Sequence, residues 1–111
     1  MKKFVFLFAF IILLTSCDKD GHRRMKYRVV SKTSCEIGYS VNNKWFNESQ
    51  TTGDWSKSYR VKKGSPFHLA AFKTGPFFDV TILVYFDGDL YATSKTDDTA
   101  DLIEIKGTVP E

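Results

Sequence analysis

The chain has 111 residues, with 16 Lys+Arg against 13 Asp+Glu, a formal net charge of +3 and 42% hydrophobic residues. That length holds one domain and excludes a multidomain enzyme, a TIM barrel or a full dinucleotide-binding unit. The 26% charged and 15% aromatic shares describe a chain that packs a core instead of staying disordered.

The first element reads as an export signal. Met1-Lys2-Lys3 precedes an unbroken apolar run from Phe4 to Leu14, the basic head and apolar centre of a secretory leader. As a helix the run spans about 16 Å at 1.5 Å per residue. A spanning helix needs roughly 20 residues, so the run predicts a cleaved leader and no permanent transmembrane anchor. Leu14-Thr15-Ser16-Cys17 then resembles the bacterial lipobox. That resemblance implies diacylglycerol on the Cys17 thiol, cleavage before Cys17, and acylation of the new amino terminus. The alternative is an ordinary signal peptide followed by an incidental Cys. Two or three acyl chains hold a protein firmly on a bilayer, where one holds it marginally. The expectation is a protein of the bacterial cell envelope, lipid-anchored and extracytoplasmic, on the outer membrane. Asp18-Lys19-Asp20 resembles the charged tag behind the lipidated Cys of surface-exported lipoproteins of the Bacteroidetes type.

The predicted layout is therefore a signal peptide over 1–16, a lipidated N-terminus and tether over 17–25, and a domain over 26–111. Cleavage removes sixteen of the 111 residues and leaves 95; it takes Lys2 and Lys3 away, so fourteen basic groups face thirteen acidic ones. The basic character that would argue for nucleic acid disappears, and no nucleic-acid partner is expected. Cys35 is left without a partner once Cys17 carries lipid. It reads as a small buried hydrophobe in a strand, with an intermolecular bridge or a reactive thiol as the alternative. His22-Arg23-Arg24, with Lys19, Lys26 and Arg28, makes a basic cluster beside the lipid. It is either a plain solvated linker or a segment drawn to anionic head groups.

From Lys26 onward the apolar period is near two. Tyr27 and Val29 open the pattern, and Cys35, Ile37, Tyr39 and Val41 continue it as a half-buried strand. Asn42-Asn43 predicts a turn, with Lys44 to Glu48 as the return arm of a hairpin. Gln50 to Asp54 reads as a loop. Trp55, Tyr59 and Val61 share one face of the next strand; Lys57 spoils that face, which predicts a bulge or an edge position. Phe67, Leu69 and Ala71 alternate with His68, Ala70 and Phe72. Val80, Ile82, Val84 and Phe86 form the most continuous apolar face, and Asp87-Gly88 is a hairpin signal. Asp89 to Ser94 returns, Asp97-Asp98 turns, and Leu102, Ile103 and Ile105 mark a last strand. Seven or eight short strands at this spacing predict an all-β, antiparallel, Ig-like sandwich. The Ig-type disulfide is absent, so Trp45, Trp55 and the Phe and Tyr residues are expected to fill the core.

The order of motifs from Tyr27 to Gly107 resembles the soluble domain of MmpS-like membrane-transport accessory proteins. The matching pieces are Tyr27-Arg28-Val29-Val30, Ile37-Gly38-Tyr39, Trp55-Ser56-Lys57-Ser58-Tyr59, Leu69-Ala70-Ala71, and the strand Val80 to Phe86 with its Asp87-Gly88 turn. The resemblance implies an Ig-like sandwich outside the cytoplasm, partnership with an exporter complex, and no catalytic residues. The chain departs from that family in its lipobox, which stands where the family has a transmembrane helix, and in lacking the cysteine pair of the last strands.

No catalytic residue and no metal site is expected. His22 and His68 have no partners at ligand spacing, no Ser sits on a nucleophile turn, and no glycine-rich phosphate loop is present. The only expected prosthetic group is the covalent lipid on Cys17. Asp87, Asp89, Asp97, Asp98 and Asp101 gather near two turns and read either as turn chemistry or as oxygen ligands for Ca²⁺. Trp45, Phe46, Phe77 and Phe78 lie beside loops. Neighbouring residues of a strand point to opposite faces, so one of each pair turns outward, toward an envelope or transporter protein or toward a carbohydrate or lipid ligand. Core packing and edge cover are the other reading of the same residues.

Overall fold

The computed structural model describes residues 21–97 and 99–111; the leader, the Leu14-Thr15-Ser16 box, Cys17 and Asp98 lie outside the described residues. Eight strands follow one another: β1 His22–Ser31, β2 Cys35–Val41, β3 Lys44–Gln50, β4 Gly53–Lys62, β5 Pro66–Lys73, β6 Val80–Phe86, β7 Asp89–Lys95 and β8 Leu102–Thr108. They form two four-stranded antiparallel sheets, β4-β1-β6-β7 (sheet A) and β3-β2-β5-β8 (sheet B). The expected all-β sandwich is thus the fold, and no helix occurs among the described residues. It is Ig-like in having two facing antiparallel sheets, with its own strand order. Here the first strand pairs with the fourth and the sixth, whereas an antibody domain places its first strand beside its second.

The period-two pattern builds the core directly. Met25, Tyr27 and Val29 of β1, with Val80, Ile82, Val84 and Phe86 of β6, face Ile37 and Tyr39 of β2 and Phe67, Leu69 and Ala71 of β5. Among the described residues every buried core side chain lies between Met25 and Val109. Trp55 packs against it as expected, but Trp45 does not: it is 44% exposed. Cys35 is buried, and burial pushes its thiol pKa up, which suits a packing role and disfavours the thiolate that reactivity requires.

Two hairpins set the register. Asn42 and Asn43 have φ of 53° and 66°, and Asp87 and Gly88 have φ of 53° and 89°. Two consecutive positive φ values make type I′ turns, whose twist matches that of the strands they join. Val41 therefore pairs with Lys44 and Phe86 with Asp89.

Three boundaries differ from expectation. β1 opens at His22, so the end of the expected tether is strand, paired from His22↔Lys62 onward. Its charged residues alternate with Met25, Tyr27 and Val29, and the charges mask that period. The loop expected over Gln50–Asp54 shrinks to residues 51–52, and Asp54 sits in β4. Lys57 lies on an edge strand without a bulge. The irregularity falls in the β6–β7 ladder instead, where Val84 pairs with Ala92 but Tyr85 pairs with Leu90. The extra residue, Tyr91, packs edge-on against Phe86 and Phe67 at 5.0 and 6.0 Å between ring centroids.

The chain enters at Gly21, whose carbonyl accepts from Lys63 N–H. That end of the sandwich also holds the 42–43, 63–65 and 87–88 turns. The opposite end holds residues 32–34, 51–52, 74–79 and the loop after Lys95.

Candidate binding face

The ladders of sheet B arrange its outward side chains in rows. Trp45, Ser40, His68 and Lys106 make one row; Asn47, Gly38, Ala70 and Glu104 the next; Ser49, Glu36, Phe72 and Leu102 the third. An antiparallel sheet with one solvated face carries polar residues there. This face does not conform. An apolar stripe crosses it from Trp45 over Gly38 and Ala70 to Phe72 and Leu102. Trp45 and Leu102 are 44% and 43% exposed, while Ala70 points outward yet is 1% exposed beneath its neighbours.

Gly38 makes the stripe continuous. A Cβ there would stand 2.4 Å from Trp45 Cζ2 and 2.9 Å from Phe72 Cε2, distances no real Cβ adopts. Each ring lies over bare backbone because this position has no side chain. The indole is oriented by its N–H, which donates to Asn47 Oδ1 at 3.1 Å, and by His68, whose ring centroid lies 5.1 Å away. His68 Nε2 in turn lies 2.9 Å from Glu104 Oε1, and Lys106 Nζ is 3.7 Å from the same oxygen. A shallow hollow of about 460 Å³ runs beside this row along Ser40, Pro66, His68, Lys106 and Thr108.

A buried tyrosine supports the row from below. Tyr27 of sheet A crosses the core; its hydroxyl donates to the Ser40 carbonyl at 2.8 Å and accepts from the His68 N–H at 3.2 Å. Burial pushes its pKa up to about 12.

The four aromatics singled out in the sequence are not one surface. Trp45 is on the outer face of sheet B. Phe46 is turned to the other side of β3, stacked on Tyr39 at 5.4 Å, at the long edge of the sandwich. Phe77 is at the far end of the molecule, 73% exposed, and Phe78 beside it packs against the core. Trp45 and Phe46 leave β3 on opposite sides yet are both exposed, at 44% and 41%, and Phe77 and Phe78 lie in the loop before β6, where strand alternation does not apply. Sequence reasoning missed Gly38, Phe72 and Leu102. The available signal was the outward set of β5, His68, Ala70 and Phe72, which is too apolar for a face left to water.

The long edge where β3 meets β4 is closed by polar contacts. Glu48 accepts from the Tyr39 hydroxyl at 2.6 Å and from Trp55 Nε1–H at 3.2 Å, and pairs with Lys57. The Lys57 bond first, then the Tyr39 bond, holds the Glu48 carboxyl below its ordinary range. Lys57, out of place by pattern, thus bridges the two sheets.

The acidic turns do not converge. Asp87 and Asp89 lie at the chain-entry end, with Asp87 N–H donating to the Arg24 carbonyl, and Asp97 and Asp101 lie at the other. The four described carboxylates thus stand at two separate ends, and Asp98 lies outside the described residues. Asp97 caps its own loop, its Oδ1 accepting from Thr99 N–H at 2.8 Å, which holds its pKa low. Among the described residues no three His, Cys, Asp or Glu side chains come together as a metal site. What the face offers is non-covalent recognition: an exposed indole and apolar stripe for contact area, and a polar border for orientation.

No protein-family model matches the chain, and no curated protein does.

Proposed function

We propose that the protein is a non-enzymatic, lipid-anchored binding module of a bacterial cell envelope, held through Cys17 and presenting the outer face of sheet B to an envelope or transport-complex protein. The observation that carries this reading is the apolar stripe Trp45–Phe72–Leu102 laid over Gly38 on a face the fold would otherwise give to water. Exposed Trp residues bordered by polar groups are where protein interfaces concentrate their binding energy, and contiguous exposed apolar area marks interaction sites. The MmpS-like order of motifs supports a transport complex as the partner, and the lipobox supports the envelope location.

A photo-crosslinking residue in place of Ser49, exposed on β3 beside the stripe, tests it with Trp45 left in place. In intact cells it should give a discrete adduct with one envelope protein, and the same residue in place of Ser56 on sheet A should give none. Absence of any adduct from position 49 contradicts the reading. A second reading, saccharide binding, is favoured by the indole with Asn47, His68 and Glu104 around it, since a sugar offers a C–H face for stacking and hydroxyls for the border. It predicts binding of a purified glycan that Trp45→Ala abolishes, without a protein adduct.

A further inference from the structure

Four strands end the two sheets: β3 and β8 in sheet B, β4 and β7 in sheet A. An edge strand offers unpaired N–H and C=O groups to any second strand, and folds commonly block it with a bulge, a proline or an inward-pointing charge. Three of these edges carry such a device. β3 and β4 turn Glu48 and Lys57 inward, paired with each other, and β7 is bulged at Tyr91. β8 has none of them. Its ladder with β5 is regular over Leu102–Thr108, with Ile103, Ile105 and Gly107 on the inner side. The same ladder fixes which main-chain groups of β8 stay open. Lys73 N–H donates to the Asp101 carbonyl at 2.9 Å and Val109 N–H to the Ser65 carbonyl at 2.8 Å. Opposed residues alternate between hydrogen-bonded and non-hydrogen-bonded pairs, so Ile103, Ile105 and Gly107 direct their N–H and C=O groups to β5. Those of Leu102, Glu104, Lys106 and Thr108 point the other way, where no strand follows among the described residues. All four of these residues are exposed.

We propose that β8 pairs antiparallel with β8 of a second copy of this chain, about a two-fold axis at Ile105, so that the two B sheets become one sheet of eight strands. The sequence of β8 selects both the occupant and the register. About that axis Glu104 stands opposite Lys106 of the second copy, and Lys106 opposite its Glu104. Leu102 meets Thr108, Ile103 meets Gly107, and the two Ile105 residues meet each other. Opposite charges directly across an antiparallel pair are favourable, and like charges are unfavourable. Sliding one strand by two residues in either direction sets Glu104 against Glu104 or Lys106 against Lys106. The charges therefore favour one register and oppose its neighbours. Lys106 can reach across: its Nζ is 3.7 Å from Glu104 Oε1 and its side chain is 69% exposed, while His68 holds that same oxygen at 2.9 Å. The open N–H and C=O groups of Leu102, Glu104, Lys106 and Thr108 find their partners on the second copy, the strand-addition mode of association. The contact is isologous and closes on itself as a dimer. It sets both outer B faces on one side, so that two Trp45–Phe72–Leu102 stripes share one surface. It requires neither the lipid anchor nor the partner of that surface.

The test is sedimentation equilibrium of residues 17–111 with Cys17→Ser, a chain that keeps all eight strands and carries neither lipid nor a Cys17 disulfide. From about 10 μM to about 1 mM it should show a monomer–dimer equilibrium. Glu104→Lys and Lys106→Glu should each weaken the dimer by about tenfold or more, because each sets like charges across both pairs. Both side chains are at the surface, so neither exchange threatens the fold. An equimolar mixture of the two variants should restore the dimer, since the same register then opposes unlike charges at both pairs. Trp45→Ala should leave it unchanged. A monomer throughout, a dimer that both charge variants leave intact, or a mixture that stays monomeric overturns the pairing. So does a dimer lost in Trp45→Ala, which would put the contact on the outer face of sheet B. None of these outcomes bears on the cross-linking at position 49, which lies on β3 at the opposite edge of the sheet.

Discussion

The two outer faces of the sandwich obey the same strand alternation and carry opposite chemistry. Sheet A shows Arg24, Lys26, Arg28, Arg60 and Lys62 around β1 and β4; sheet B shows Trp45, Phe72 and Leu102 across β3, β5 and β8. The inner faces of both are interchangeable in kind, aliphatic with Tyr27, Tyr39, Phe67 and Phe86. The inward residues therefore account for the fold and are silent about function, while the outward residues distinguish a side rich in basic residues from a side suited to a partner.

The largest effect expected from a single change is on partner binding. Trp45→Ala should weaken it by about 2 kcal/mol or more, roughly thirtyfold, in a titration with the cross-linked partner. Its stability, read by denaturant unfolding, should change by much less, because the indole is half exposed. Gly38→Ala sharpens the same point: its Cβ displaces the indole, so binding should fall as in Trp45→Ala, with a loss of about 1–3 kcal/mol in stability from overpacking. A Gly38→Ala protein that binds normally would break the account of the stripe.

Tyr27→Phe comes next. It strands the Ser40 carbonyl and the His68 N–H and should cost about 1–3 kcal/mol. The alkaline limb carries its sign. The folded-state pKa of about 12 lies above the ordinary value of 10, so the contribution is whole below pH 10. It is lost as pH rises from 10 toward 12, where the unfolded chain ionises first. Tyr39, pushed up by burial first and then by its bond to Glu48, adds a limb of the same sign, so Tyr27→Phe should make the alkaline loss shallower without removing it.

Glu48 gives the opposite pH dependence. Its folded-state pKa is lowered, so its contribution is present above the ordinary carboxylate range and fades as pH falls through the folded value. Glu48→Gln should flatten that acid limb in unfolding measured across pH. The smallest effect belongs to sheet A. Arg24→Gln and Arg60→Gln should move stability by no more than about 0.5 kcal/mol and leave partner binding intact. A large loss in either would erase the contrast between the two faces.

Much of this was legible in the sequence. The alternations through Cys35–Val41 and Val80–Phe86, and the turns at Asn42-Asn43 and Asp87-Gly88, are local signals and give the strands and both hairpins. The start of β1 was not, because His22, Arg24 and Lys26 look like a tether until Lys62, Arg60 and Ser58 supply the other side of the ladder. The Trp45–Phe72–Leu102 stripe was not legible either. Its members come from strands separated by up to 57 positions, and only long-range pairing sets them in adjacent rows around Gly38.

Everything said of membrane and partner depends on Cys17. Intact-mass measurement of the protein extracted from its own envelope tests that directly. The account predicts a chain that begins at Cys17 and carries the added mass of acyl chains. A chain that retains residues 1–16, or one with an unmodified Cys17, would contradict it.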